Sequence, residues 1–150
     1  MARSLERLLL HSVTPGLRKT YLQTAYVVWA PQGVHALRIG ARHPAFDAEL
    51  TAVGATSWAF ITAWNPGSIP REAEQNTRAQ GELVRVIAQL GFQAWPAEGK
   101  ADSGGWREES LCVLDLEAAA AVAVGRRFGQ LAVVVGQPGG AAQLLAVTAA

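Results

Sequence analysis

The sequence predicts an α+β domain, with a mixed β-sheet of about five to seven strands packed against two to three main helices. Three observations carry this. Short apolar runs recur between turn signals, as in AYVVWA at 25–30 and SWAFITA at 57–63. Strand-like and helix-like stretches follow the order ββ-α-β-α-ββ-α-ββ after N-terminal helical material, which is not a strict βα alternation. The 150 residues are 50% hydrophobic and 17% charged, a balance that suits one globular domain with a sizeable core. The expected organisation is a single domain over 1–150, with a helical extension at 1–20 and a core at 21–147.

Residues 1–14 read as a short helix, broken by Thr14-Pro15-Gly16. A second short helix is expected over 17–24, with Arg18, Lys19 and Gln23 on its wet face. Residues 25–30 are strand formers. Residues 34–39 alternate, with His35, Leu37 and Ile39 on one face, and Pro31-Gln32-Gly33 makes the hairpin connection. His43-Pro44 opens a helix, because proline suits the first helical position. Phe46, Leu50 and Val53 recur at helical spacing as far as Gly54. The strand over 57–63 is apolar on both faces and therefore central. The helix over 70–90 has the clearest periodicity, since Leu83, Val86, Ile87 and Leu90 fall at i, i+3, i+4 and i+7. A strand over 92–96, a glycine-bearing loop over 98–109 and a strand over 110–115 come next. Asp115 is expected to cap an alanine-rich helix over 116–128, which Gly129 stops. Residues 131–136 and 143–147 form a closing hairpin across Pro138-Gly139-Gly140.

Thirteen basic and 12 acidic side chains give a formal net charge of +1, with no long basic block. Nucleic acid and an anionic membrane are therefore not expected as partners. Cys112 is the only cysteine, so no intrachain disulfide forms; with no secretory h-region, the cytoplasm is the expected compartment. No apolar run approaches the roughly 18 residues of a spanning helix. His11, His35 and His43 lack ligand spacing, so no metal site is expected. Neither GxxxxGK[ST] nor GxGxxG occurs, and Ser110 lacks a nucleophile elbow. The sequence assigns no cofactor and no reaction.

If the strands share one sheet, the helix over 70–90 is a crossover, and 92–96 runs parallel to 57–63. Both strands then end at one edge, bringing Asn65 and Glu98 there. The strand over 110–115 starts at that edge, beside Trp106, Glu108 and Glu109. A second crossover, over 116–128, delivers Gln130 to the same place. Stepping back from Leu83 by helical intervals puts Ala79 and Asn76 on the inward stripe, where an unpaired amide costs about 1–3 kcal/mol. The candidate ligand-binding set is Asn65, Asn76, Glu98, Trp106, Glu109 and Gln130. Neighbouring strand residues face opposite ways, so only one of Glu108 and Glu109 points at the site. Paired with Glu98, it would share acid and base duties or hold a metal with water. Each residue also has a plainer role. Asn65 makes an Asx-type turn, Asn76 locks a loop, and Trp106 plugs the long loop. The glutamates are solvated or pair with Arg71, Arg107 or Arg127, and Gln130 satisfies backbone groups.

FITAWNPGS, the helix bearing Asn76, WREESL and RRFGQLAVV resemble a bacterial family known as domain of unknown function 3293, over roughly 21–147. The resemblance implies a small cytoplasmic bacterial protein and brings no activity, cofactor or site role. Two functions of different class follow. One is a domain that binds a small polar or anionic ligand at this edge. The other is a non-catalytic interaction module, with self-association left open.

Overall fold

The computed structural model describes residues 13–147, and most of the helix expected over 1–14 lies outside them. Helix α1 (Pro15–Leu22) starts where the Thr14 hydroxyl accepts from the Leu17 N–H and Pro15 pre-sets the backbone. Strands β1 (Thr24–Ala30) and β2 (Gly33–Leu37) form the expected hairpin. Helix α2 (Pro44–Ala52) and strand β3 (Trp58–Thr62) follow, then a 3-10 turn over Pro66–Ser68. Helix α3 (Ala73–Gln89) crosses to β4 (Ala94–Ala101), which pairs as a hairpin with β5 (Arg107–Leu114). Helix α4 (Ala118–Arg127) crosses to a last hairpin of β6 (Ala132–Gly136) and β7 (Gln143–Ala146).

The strands form one seven-stranded sheet in the order β2-β1-β4-β5-β3-β6-β7. All six ladders are antiparallel, where a mixed sheet was expected. The crossovers explain this. Helix α3 carries the chain from β3 past the place of β5 to reach β4, and α4 carries it from β5 past β3 to reach β6. The expected parallel relations persist, but between strands that have one other strand between them. Strand β3 is interior, between β5 and β6, as its two apolar faces require. The sheet curls until its edges meet. Ile39, after β2, makes an isolated parallel bridge with Ala142, before β7. There the Gly40 N–H donates to the Ala142 carbonyl at 2.8 Å, and the Ala142 N–H to the Ala41 carbonyl at 3.0 Å.

Curling divides the core in two. Inside lie Tyr26, Val28, Leu37, Trp58, Phe60, Trp95, Cys112 and Leu114, closed at one end by Phe46 and Leu50 of α2. The Phe46 ring meets Trp58 and Trp95 edge-on, at 5.7 and 6.0 Å between centroids. On the convex side, Ala59, Ile61, Val113 and Val133 lie under Leu83 and Ile87 of α3 and Ala121 and Val124 of α4. The α3 stripe stops a turn early, since Leu90 is exposed.

Two local expectations are corrected. The loop expected over 98–109 shrinks to 102–106, because Glu98, Gly99 and Lys100 pair with Glu109, Glu108 and Arg107. These are poor strand formers, and the ladder overrides their weak propensity. Pro96 is tolerated because the β1 ladder ends at the Val28–Ala97 pair, one residue short of the missing N–H. Asp115 does not cap α4. It adopts φ 63°, and its carboxylate accepts from the Thr56 N–H at 2.7 Å and the Thr56 hydroxyl at 3.2 Å. Glu117 takes the cap position without a side-chain bond. Among the described residues, no helix is long and apolar enough to cross a membrane.

Candidate functional site

Both crossovers return the chain to one end of the curl. Strands β3 and β4 finish there, and β5 and β6 begin there. At this end the inner face carries small side chains, Gly99, Ser110 and Ala132, and they leave a cavity of about 300 Å³. Its floor is apolar, from Tyr26, Phe60, Val134 and Leu144. Tyr26 and Phe60 hold each other edge-on at 5.1 Å. Leu17 and Tyr21 of α1 cover one side, Asn65, Ser68 and Pro70 another, and Trp106 stands partly exposed at the mouth.

Glu108 projects into this space from β5 and, among the described residues, is the only formally charged one lining it. The residue is 8% exposed. Burial pushes its carboxyl up to about 7, against a smaller downward pull from a hydrogen bond with the Asn65 side chain. Burial also raises the Tyr21 and Tyr26 phenols, with the Glu108 charge adding to both. Glu108 is thus poised between neutral and anionic near neutral pH, in a cavity whose other described lining residues are uncharged.

The Asn65 side chain is aimed by a network behind it. Asn65 takes the left-handed conformation at φ 46°, which asparagine tolerates better than most residues. Asn76, on the inward stripe of α3 and 1% exposed, accepts from the Asn65 N–H at 2.9 Å. Its amide donates to Asn65 Oδ1 at 2.8 Å, and its oxygen takes Arg71 Nε at 2.6 Å. Arg71 also gives its N–H to Asn65 Oδ1 at 3.2 Å and reaches the Ala63 carbonyl at 3.1 Å. With Asn65 Oδ1 doubly engaged, its Nδ2 is left to face Glu108. The Gln130 amide ties the α4–β6 turn to this loop by donating to the Trp64 carbonyl at 3.0 Å. Beside it the Gly67 N–H meets the Gly129 carbonyl at 2.8 Å. Gly129 has φ 70°, and a Cβ there would lie 2.9 Å from Pro66 Cβ, so the two loops close only on glycine.

The six candidate residues are therefore divided. Asn65, Trp106 and Gln130 line the cavity, and Asn76 stands behind it as a lock on Asn65. Glu98 and Glu109 lie opposite each other on the convex face, in a separate groove of about 890 Å³ between α3 and β4. Glu98 is paired there with Arg107 at 3.0 Å. The expected acid–base pair of Glu98 and Glu109 thus does not face Asn65; the glutamate beside Asn65 is Glu108. Sequence reasoning named Glu108 but did not choose it, and it missed Tyr21, Tyr26 and Ser68. A pair of tyrosines flanking the α1–β1 junction was the one available signal. Among the described residues, no group of three or more His, Cys, Asp or Glu is placed to hold a metal ion.

The fold and site define a class, a curled seven-stranded α+β domain with a cavity at one end that has an apolar floor and a few polar groups. A family described as Protein of unknown function (DUF3293) matches residues 61–133, and over that segment the chain resembles it, as FITAWNPGS and WREESL led us to expect. The match is narrower than the 21–147 expected. It takes in Asn65, Asn76, Trp106, Glu108, Ser110 and Gln130, and leaves out α1, β1 and β7. No curated protein and no solved structure matches the chain.

Proposed function

We propose that the domain binds a small polar molecule in the cavity beside Glu108. One observation carries the reading. The inside of the sheet is packed solid against α2 but unfilled at the opposite end, where polar side chains converge on a buried carboxyl. Empty volume and a desolvated acid both cost stability, whereas a few polar groups placed in a concave apolar pocket are what a ligand site requires. A cavity of about 300 Å³ is at the small end of such sites, so the ligand is fragment-sized. Its apolar body would rest on Tyr26, Phe60 and Leu144, with its polar end toward Glu108 and Ser110. The anionic ligand also expected from the sequence loses support here. Among the described residues no Lys or Arg lines the cavity, and Glu108 repels an anion.

Gly99→Val tests this. Gly99 faces the cavity from β4, and a Cβ there would have its nearest neighbour, Thr24 Cγ2, at an ordinary 3.9 Å. Valine keeps the strand and puts methyl groups into the space. Fragments that shift wild-type amide resonances around Glu108, and do nothing to folded Gly99→Val, support the reading. A library giving no such hits, or hits indifferent to the valine, overturns it. The interaction-module alternative has its own observation, the convex groove. Trp29, 42% exposed, and Val84 wall it, and Gln80 Nε2 and Trp64 Nε1 lie buried beside it without partners among the described residues. Loss of a captured partner on Trp29→Glu, with fragment binding intact, would favour that alternative.

A further inference from the structure

We infer that the ligand carries a protonated primary amine that pairs with Glu108, an inference that rests on the cavity being the binding site. The first argument is the hydrogen-bond inventory of the walls. Most donors that line the cavity are turned away to the backbone. Thr24 gives its hydroxyl proton to the Thr20 carbonyl, Tyr26 to Tyr21, Thr62 to Glu109, Ser110 to Glu108, and Gln130 its amide to Trp64. The Tyr21 and Ser68 hydroxyls bond each other and the Asn65 amide is spent on Glu108, so beside Trp106 at the mouth the chief polar group facing the space is the Glu108 carboxylate, an acceptor. A ligand that brings donors suits this wall, and an ammonium brings three.

Charge points the same way. Among the described residues, no cation is paired with Glu108. Nearby arginines are committed elsewhere, Arg38 to Asp102, Arg107 to Glu98, and Arg71 to Asn76 and the Ala63 carbonyl. A ligand cation would supply the missing partner in a site of low dielectric, where the pairing is strong. Tyr21, Tyr26, Phe60 and Trp106 add aromatic surface that favours a cation over an anion. A bare metal ion fits poorly, since among the described residues no His, Cys or Asp and no second Glu lines the cavity. The chemistry that fits is a small apolar or aromatic body ending in an ammonium group.

Three isosteric probes test this by calorimetry on the full chain at pH 8: 2-phenylethylamine, 2-phenylethanol and phenylacetate. Phosphate buffer is needed, because Tris is itself a primary amine. The amine should bind at least about tenfold more tightly than the alcohol, and the acid should not saturate. In Glu108→Gln the amine preference should fall to about twofold or less while the alcohol still binds, which shows that the variant is folded and its cavity open. Equal affinity of amine and alcohol in the wild type, with both lost in Gly99→Val, would refute the amine assignment and leave the cavity reading standing. An amine preference that survives Glu108→Gln would also refute it. No Gly99→Val-sensitive binding of any probe would take down the cavity reading, and this inference with it. Nα-acetyl-lysinamide, as a fourth probe, separates the two sources of an amine. Tighter binding than 2-phenylethylamine assigns it to a protein lysine, and weaker binding to a free amine; both require Glu108.

Discussion

Replacing Glu108 by glutamine should stabilise the ligand-free domain in alkaline solution and leave it almost unchanged in acid. Below the ordinary carboxyl value of 4.5, Glu108 is protonated in the folded and the unfolded chain alike. Between 4.5 and about 7 the unfolded chain gives up a proton that the folded chain keeps. The folded state then binds more protons, so this group's contribution to stability falls as pH rises through that window. Above it the deficit is constant. At 1.36 kcal/mol per pK unit, the gap between 4.5 and about 7 amounts to about 3 kcal/mol. Glutamine has the same shape and no charge to bury, so it escapes the deficit. For a domain of this size each kcal/mol moves the melting temperature by about 2–4 °C, giving roughly 6–12 °C at pH 8.5. The assay is a set of thermal melts of both proteins from pH 4 to 8.5. The titratable groups facing Glu108, Tyr21 and Tyr26, are raised above this range, and other shared groups cancel in the difference. A difference that is flat with pH, or a variant less stable than wild type at pH 8.5, would show that Glu108 is solvated or charge-paired.

Other substitutions probe the frame around the cavity. Asn76→Ala removes the partner of the Asn65 N–H and of Arg71 Nε, and should cost about 1–3 kcal/mol in urea unfolding. An unchanged midpoint would show that Asn76 locks nothing. Gly136→Ala would set a Cβ 2.5 Å from the Trp58 ring, and should destabilise by about 1–3 kcal/mol. Gly81→Ala, in α3 with open space around it, should instead stabilise by about 0.5–1 kcal/mol. The Cys112 thiol is fully buried and its pKa is pushed up by that burial, so a thiol reagent should label it only as fast as the domain unfolds.

Much of the frame was legible because it rests on strong local signals. The Leu83–Val86–Ile87 stripe announced α3, and counting back along it placed Asn76 in the interior, where it lies. Strand directions followed from the two crossovers, so the gathering of Asn65, Trp106 and Gln130 at one end could be read without coordinates. The choice between Glu108 and Glu109 could not. Strand β5 is covered on both faces, and its far half is apolar at both parities, Cys112 and Leu114 inside and Leu111 and Val113 outside. Periodicity therefore gave no phase, and the register against β4 alone decides it. Pro96, Glu98, Gly99 and Lys100 hid the length of β4 for a related reason, since their pairing is a tertiary fact that propensity does not encode.

The topology has a consequence for how the molecule comes together. Six of the seven strands belong to hairpins of neighbours in sequence, and such hairpins form from local contacts. Strand β3 belongs to none. It is a keystone, set between a strand some fifty residues later and another later still. Its docking, like the pairing of β1 with β4 and the bridge between Ile39 and Ala142, closes long loops and belongs to the slow part of assembly. The segment that carries Asn65 is attached to this non-local strand, so the three hairpins can form while the cavity does not yet exist. Glu108 then waits in water with an ordinary carboxylate, and the insertion of β3 is the event that turns it into a buried acid.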